Sequence, residues 1–136
     1  MPTTRSEGAG EGAGEGAGDG AAERLERALA AIDRVHAEDP VAVDVGGSEV
    51  PAELAYARRM STWLDRLSPA ASDALVLAVR AQHLRRWELP RASFPVGRGG
   101  YLRWRRACAE HHARLAADIV AAAGYPAPTG ERVAAR

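Results

Sequence analysis

Lysine is absent from the 136 residues, and cysteine and phenylalanine occur once each. All eighteen basic side chains are therefore arginines. With heavy use of alanine and glycine, this reads as a compositional bias, which discounts any argument from arginine content alone. The lone Cys108 excludes an intramolecular disulfide framework and cysteine-rich zinc sites, and it suits a reducing cytosol. No apolar run approaches the roughly 18 residues that a membrane helix needs, and the polar N-terminus lacks the hydrophobic stretch of a signal peptide. A cytoplasmic chain with no membrane partner is expected. Net charge is missing too: eighteen acidic residues balance the arginines, so the overall charge gives no pull toward nucleic acid.

What is present divides unevenly. From Glu7 the tetrad Glu-Gly-Ala-Gly runs three times and decays into Asp19-Gly20. It has no branched or aromatic side chain whose burial could offset the entropy of ordering, so residues 1–20 are expected to form a disordered tail. A single all-α domain, a small bundle of about four main helices, is expected over residues 21–126, with 127–136 a short C-terminal tail. Leu25, Leu29 and Ile32 recur at helical spacing, with Val35 following, and predict a first helix ending near Asp39-Pro40. Val41 to Val50, holding Gly46-Gly47, reads as an extended connector with at most one strand. Pro51 opens a second helix whose stripe is Tyr56, Met60, Trp63 and Leu67. Ser68-Pro69 resembles a cap for a third helix, carried by Leu75, Val76, Val79 and Leu84 to about Trp87. Pro90 stops it, and a loop with two prolines and three glycines leads to a fourth helix from about Tyr101 to the stop at Gly124.

Three ionisable side chains fall in phase with these stripes. Glu53 precedes Tyr56 by three, His83 follows Val79 by four, and His112 lies four after Cys108. Buried ionisable groups are costly unless paired, hydrogen-bonded or metal-bound. Two neutral imidazoles and a carboxylate from three helices make a candidate first shell for a divalent metal such as zinc, iron or manganese. In the ordinary alternative each imidazole satisfies an acceptor inside the bundle. His83 and His112 are expected to be mostly buried, on adjacent helices, facing one cavity. His36, beside acidic residues at the end of helix one, suits a protonated imidazole.

A second constellation is basic and aromatic. Between positions 80 and 106 eight arginines face one glutamate, Glu88. Arg85, Arg86, Arg91, Arg98 and Arg105 are the candidate anion-binding residues, because guanidinium forks grip phosphate or carboxylate bidentately. Trp87, Tyr101 and Trp104 are the candidate stacking residues. A solvated charged face, neutralised in part by acidic neighbours, accounts for the same residues.

The run Glu53-Leu54-Ala55-Tyr56-Ala57-Arg58-Arg59-Met60, then Trp63-Leu64, Arg80-Ala81-Gln82-His83-Leu84-Arg85-Arg86-Trp87, Pro90-Arg91, Phe94-Pro95, Arg98 and Gly100-Tyr101-Leu102-Arg103-Trp104-Arg105 closely resembles the DUF4202 domain family. His112-Ala113 and Gly124-Tyr125 continue the pattern, so the resemblance spans residues 25 to 126 or so. It implies a helical fold and a mostly bacterial and fungal distribution, and it supplies no reaction. The family is distantly similar to histidine-aspartate phosphohydrolases, which hold a divalent metal between helices, yet Leu84 follows His83 where those enzymes place aspartate. Family members typically continue past the Gly-Tyr turn into further helices. A shortened chain would leave apolar surface exposed around Tyr56, Trp63, Val79 and Ile119, which a homodimer would cover.

The first functional expectation is thus a metal-dependent, hydrolase-like domain acting on a phosphorylated small molecule, with Arg85, Arg86 and Arg91 orienting the anion and Glu53 as ligand or general base. The rival expectation is a non-catalytic module whose Arg/Trp surface holds a nucleotide, RNA or an acidic partner. A third is an inactive remnant.

Overall fold

The computed structural model describes residues 15–135. It is mainly helical: α1 (Glu15–His36), a hairpin of β1 (Ala42–Val45) and β2 (Ser48–Pro51), α2 (Ala52–Leu67), α3 (Asp73–Arg80), two short 3-10 turns, α4 (Arg98–Ala122) and α5 (Ala127–Ala134). Of the expected tail, residues 1–14 lie outside the described residues. The rest of it belongs to α1, which starts at Glu15 rather than near Ala21, since extending a formed helix costs far less than nucleating one.

The core is built by α1, α3, α4 and α5. Ile32, Leu77, Leu84 and Val120 are fully buried at its centre, and Ala28, Ala74, Ala81, Ala116 and Ala123 let the helices approach closely around them. Several stripes are shifted in phase from those the apolar spacing predicts. On α2 the inward residues are Leu54 and Ala57, while Trp63 and Leu67 stand 51% and 78% exposed. The expected partial exposure thus holds at Tyr56, Val79 and Ile119, and Trp63 is more exposed than they are. Ala57 and Leu54 define the packed face of α2, and the larger stripe through Trp63 and Leu67 turns to solvent.

The connector is a hairpin. Its strands pair antiparallel, Val43 opposite Val50 and Val45 opposite Ser48, and Gly46 and Gly47 both take positive φ (60° and 88°), as a two-residue hairpin turn demands. Beyond it, Asp39 is the hinge: its Oδ1 accepts from the Val41 N–H at 3.0 Å and its Oδ2 from the Glu53 N–H at 2.9 Å. Asp39 thus caps α2 from outside the helix.

Helix α3 starts later and ends earlier than expected. Ser72, not Ser68, is its N-cap, its Oγ accepting from the Leu75 N–H at 3.2 Å. At the other end, the Arg80 carbonyl would accept from the Leu84 N–H if the helix continued. Instead it accepts from Nε2 of His36 at 2.8 Å, and the Leu84 N–H turns to Ala81. Asp33 holds the Arg80 guanidinium through two bonds of 2.7 Å. Past this clamp His83 and Arg85 adopt positive φ (64° and 52°).

Helix α4 begins at Arg98, slightly before the expected Tyr101, and Gly100 seats it: a Cβ there would lie 1.7 Å from the Pro95 carbonyl oxygen. It ends as expected, with Gly124 at φ 102° and the Tyr125 N–H returning to the Val120 carbonyl at 3.2 Å. The expected C-terminal tail is a helix, α5. Its one large apolar residue, Val133, is buried with Thr129 and Gly130, and Gly130 lies flush on Ala117 of α4, so the packing rests on small residues that carry little periodic signal. No helix among the described residues is long and apolar enough to cross a membrane.

Val133→Asp places an unpaired charge in this core and is expected to cost about 3 kcal/mol or more. Chemical denaturation followed by circular dichroism measures this; an unchanged midpoint would mean that residues 127–136 behave as a free tail.

Candidate functional site

The site is assembled in steps from Asp39. By accepting the Glu53 N–H, Asp39 fixes the start of α2 so that Glu53 reaches the turn after α3, where its Oε2 accepts from Nδ1 of His83 at 3.1 Å. Tyr56, one turn along α2, stacks on the same imidazole at 4.5 Å and 13°. With Nδ1 carrying the proton, the lone pair of His83 is on Nε2, and Arg86 donates to it from Nη1 at 3.4 Å. This carboxylate–imidazole pair is the arrangement that orients a base and fixes its tautomer.

His112 approaches from α4, its ring centroid 6.2 Å from that of His83. Its Nδ1 donates to the Leu84 carbonyl at 2.7 Å, so its lone pair is also on Nε2. Burial lowers its pKa, as do His83, His111 and Arg86 nearby, while the bond to the Leu84 carbonyl opposes the shift. The two imidazoles line one cleft of about 320 Å³ with Arg86, Arg105, Tyr101 and Cys108. Burial raises the Cys108 thiol, against the pull of Arg86 and Arg105.

The expected convergence of Glu53, His83 and His112 therefore occurs in altered form. His83 sits on a turn rather than on a helix, although it is mostly buried as expected, its side chain 28% exposed. Glu53 stands behind His83 as its hydrogen-bond partner. Among the described residues no three His, Cys, Asp or Glu side chains group to hold a metal ion. The Arg86 guanidinium on the His83 lone pair would also repel a cation. The donor set does not fit the zinc, iron or manganese shell expected of Glu53, His83 and His112.

The arginines separate by partner. Arg85 is tied to Glu38 (2.6 Å) and Glu88 (2.7 Å), and Arg91 donates to the carbonyls of Phe94, Pro95 and Gly97, shaping the loop before α4. Arg98 is exposed at the start of α4 and does not line the cleft. Arg86 and Arg105 do line it, and neither has a carboxylate partner among the described residues. Aromatic rings hold them instead. Arg86 lies 5.1 Å over Trp104, and Arg105 lies 5.8 Å over Tyr101 while donating to its hydroxyl at 3.0 Å. Tyr101 and Trp104 thus support guanidinium groups where base stacking was expected. Trp87 faces a neighbouring cleft.

His36 was misread. It is fully buried, and burial lowers its pKa below the usual imidazole range, against the Arg80 carbonyl, Glu53 and Asp33. The available signal was its position one turn after Ile32, on the buried face of α1.

His36 and His112 both bind a proton less readily folded than unfolded. Stability is therefore complete above about pH 6.5, the ordinary imidazole value, and falls as the pH drops below it. Urea denaturation at pH 7.5 and 5.5 is expected to show this loss, and His112→Gln, whose amide can still donate to the Leu84 carbonyl, to show less of it. An equal loss in the variant would rule His112 out as a source.

The model of a family described as a domain of unknown function, DUF4202, matches residues 26–136. The match takes in α5 and goes beyond the limit near residue 126 that the motifs suggest. No curated protein and no solved structure matches the chain.

Proposed function

We propose, from the premise that the chain belongs to the DUF4202 family, that its cleft binds a small phosphorylated molecule and hydrolyses its phosphate ester by general base catalysis. The observation that carries this reading is the line Glu53–His83–Arg86, with Oε2···Nδ1 at 3.1 Å and Nε2···Nη1 at 3.4 Å. A base lone pair and a guanidinium without a carboxylate partner thus point at one place. A phosphoryl oxygen would displace the weak Arg86–His83 contact and take the stronger charge-assisted bond.

Arg86 and Arg105 would neutralise the phosphoryl oxygens, and their aromatic supports reduce the freedom they lose on binding. Water attacks phosphorus as His83 Nε2 takes its proton. Glu53 holds the Nδ1–H and stabilises the imidazolium that forms. The phosphorus–ester oxygen bond breaks, and the departing oxygen takes a proton from solvent at the open cleft. We read the site as cytoplasmic, where the free Cys108 on its wall stays reduced.

Calorimetry with inorganic phosphate and turnover of 4-nitrophenyl phosphate test this directly. Arg86→Ala and Arg105→Ala are each expected to weaken phosphate binding about tenfold or more. His83→Gln should keep the binding and lose the turnover. Phosphate binding without turnover in the unmodified chain would replace hydrolysis by the binding-module reading, and absence of phosphate binding would overturn both.

A further inference from the structure

A second cleft, of about 280 Å³, lies on the far side of the Arg86–Trp104 pair, and those two residues line both clefts. The two differ in what they leave available to a ligand. In the first, the guanidinium groups of Arg86 and Arg105 have no carboxylate partner. In the second, the charged residues other than Arg86 are taken up by the protein itself. Both Asp39 oxygens accept backbone N–H groups, Glu53 holds His83, and Arg91 is spent on loop carbonyls. What remains for a visitor is the apolar surface of Val41, Trp87, Leu89 and Pro90.

Ligand sites are mostly apolar, with a few polar groups that fix orientation, and range over about 300–1,000 Å³. The first cleft alone is at the bottom of that range. Its two guanidinium groups without carboxylate partners make it the polar end of a site. The two clefts together give the usual composition, an anionic head site beside an apolar one, with the flat Arg86–Trp104 stack as the surface that joins them.

We infer that the second cleft is the subsite for a hydrophobic substituent of the ligand, so that the substrate class is a phosphomonoester of an apolar, aryl or alkyl alcohol whose body lies across the Arg86–Trp104 pair. This rests on the proposed phosphate site and goes beyond it, because a phosphate site alone is indifferent to what the phosphate carries. A hydrophilic sugar phosphate would leave the Val41–Trp87–Leu89 surface wet and gain nothing from it. Val41 is 57% exposed and outside the core, which makes it a wall residue that can be changed without disturbing the fold.

The test compares affinities of the full chain for inorganic phosphate, methyl phosphate and phenyl phosphate, with phenylphosphonate, whose carbon–phosphorus bond this reaction does not cleave, used in separate titrations in place of the phenyl ester. Burying one ring is expected to tighten binding about tenfold or more over inorganic phosphate, with methyl phosphate in between. Val41→Ser should remove that gain and leave the affinity for inorganic phosphate unchanged, which also reports that the variant is folded. Leu89→Asn is an independent second wall variant with the same expected result. Equal affinity for all these compounds would overturn the apolar subsite and leave the phosphate site standing. A gain for the ring that survives both variants would place the body elsewhere and overturn it as well. Failure of every compound, inorganic phosphate included, would instead remove the phosphate site on which the inference rests.

Discussion

The fully buried imidazole of His36 donates its Nε2–H to the Arg80 carbonyl 2.8 Å away, and the path of the chain from Arg80 to Glu88 follows from that bond. A carbonyl with its partner already in place does not need the amide four residues on, so α3 stops and the Leu84 N–H closes a tighter turn on Ala81. Asp33, one turn before His36 on α1, grips the Arg80 side chain, so the same helix anchors both the backbone and the guanidinium of one residue. The bond has a cost, since Nδ1 of His36 is left buried without a partner, an expense of roughly 1–3 kcal/mol. That the ring stays there in its neutral form fits the lowering of its pKa by burial.

Everything at the cleft is positioned by that interruption. Had α3 continued, His83 would sit on a helix with regular φ, and Arg86 would fall nearly one turn further along the same cylinder. In the turn, His83 and Arg85 take left-handed backbone conformations, which cost about 1–2 kcal/mol each for residues with a Cβ. Both side chains are tied where this backbone puts them, His83 to Glu53 and Arg85 to Glu38 and Glu88. The ties offset the strain. Arg85 thereby acts as a structural clasp between Glu38, just past the end of α1, and Glu88, while its neighbour Arg86 faces the cleft.

The sequence made parts of this legible and concealed others for definite physical reasons. Helix α4 could be read almost to its ends because Gly124 supplies a residue for φ above zero just where the apolar spacing stops. The meeting of Glu53, His83 and His112 was visible because ionisable residues in phase with apolar ones must find partners. Their roles were not visible, because whether a carboxylate binds a metal or a histidine Nδ1 depends on about one ångström of placement. The end of α3 was hidden because its cap comes from His36, 44 positions away. The inward face of α2 was hidden because alanine packs as well as leucine where helices run close, while carrying far less weight in a hydrophobic pattern. The same reason concealed α5. For the hairpin the signal was present, in Gly46-Gly47 between two valine-bearing runs, and the expectation of an all-helical chain passed over it.

The arginine-only composition makes charge counting uninformative, and partner by partner the structure sorts what the count could not. Of the candidate arginines, those that meet carboxylates or carbonyls are structural: Arg85 on Glu38 and Glu88, Arg91 on its loop. Those that meet aromatic rings and neither a carboxylate nor a carbonyl, Arg86 on Trp104 and Arg105 on Tyr101, keep their full charge while losing mobility. A guanidinium on a ring face is attracted through the quadrupole without being neutralised, so both remain able to bind an anion and both border the same cleft. Two imidazoles with lone pairs turned away from their fixed Nδ1–H groups complete that border. An anion entering between them would be stabilised by both guanidinium groups and would favour protonation of the neighbouring His112, reversing the effect that Arg86 and burial have on it in the empty cleft. A cation would meet two guanidinium groups with no carboxylate partner among the described residues, and it is this asymmetry, more than any single distance, that supports the proposed anion site.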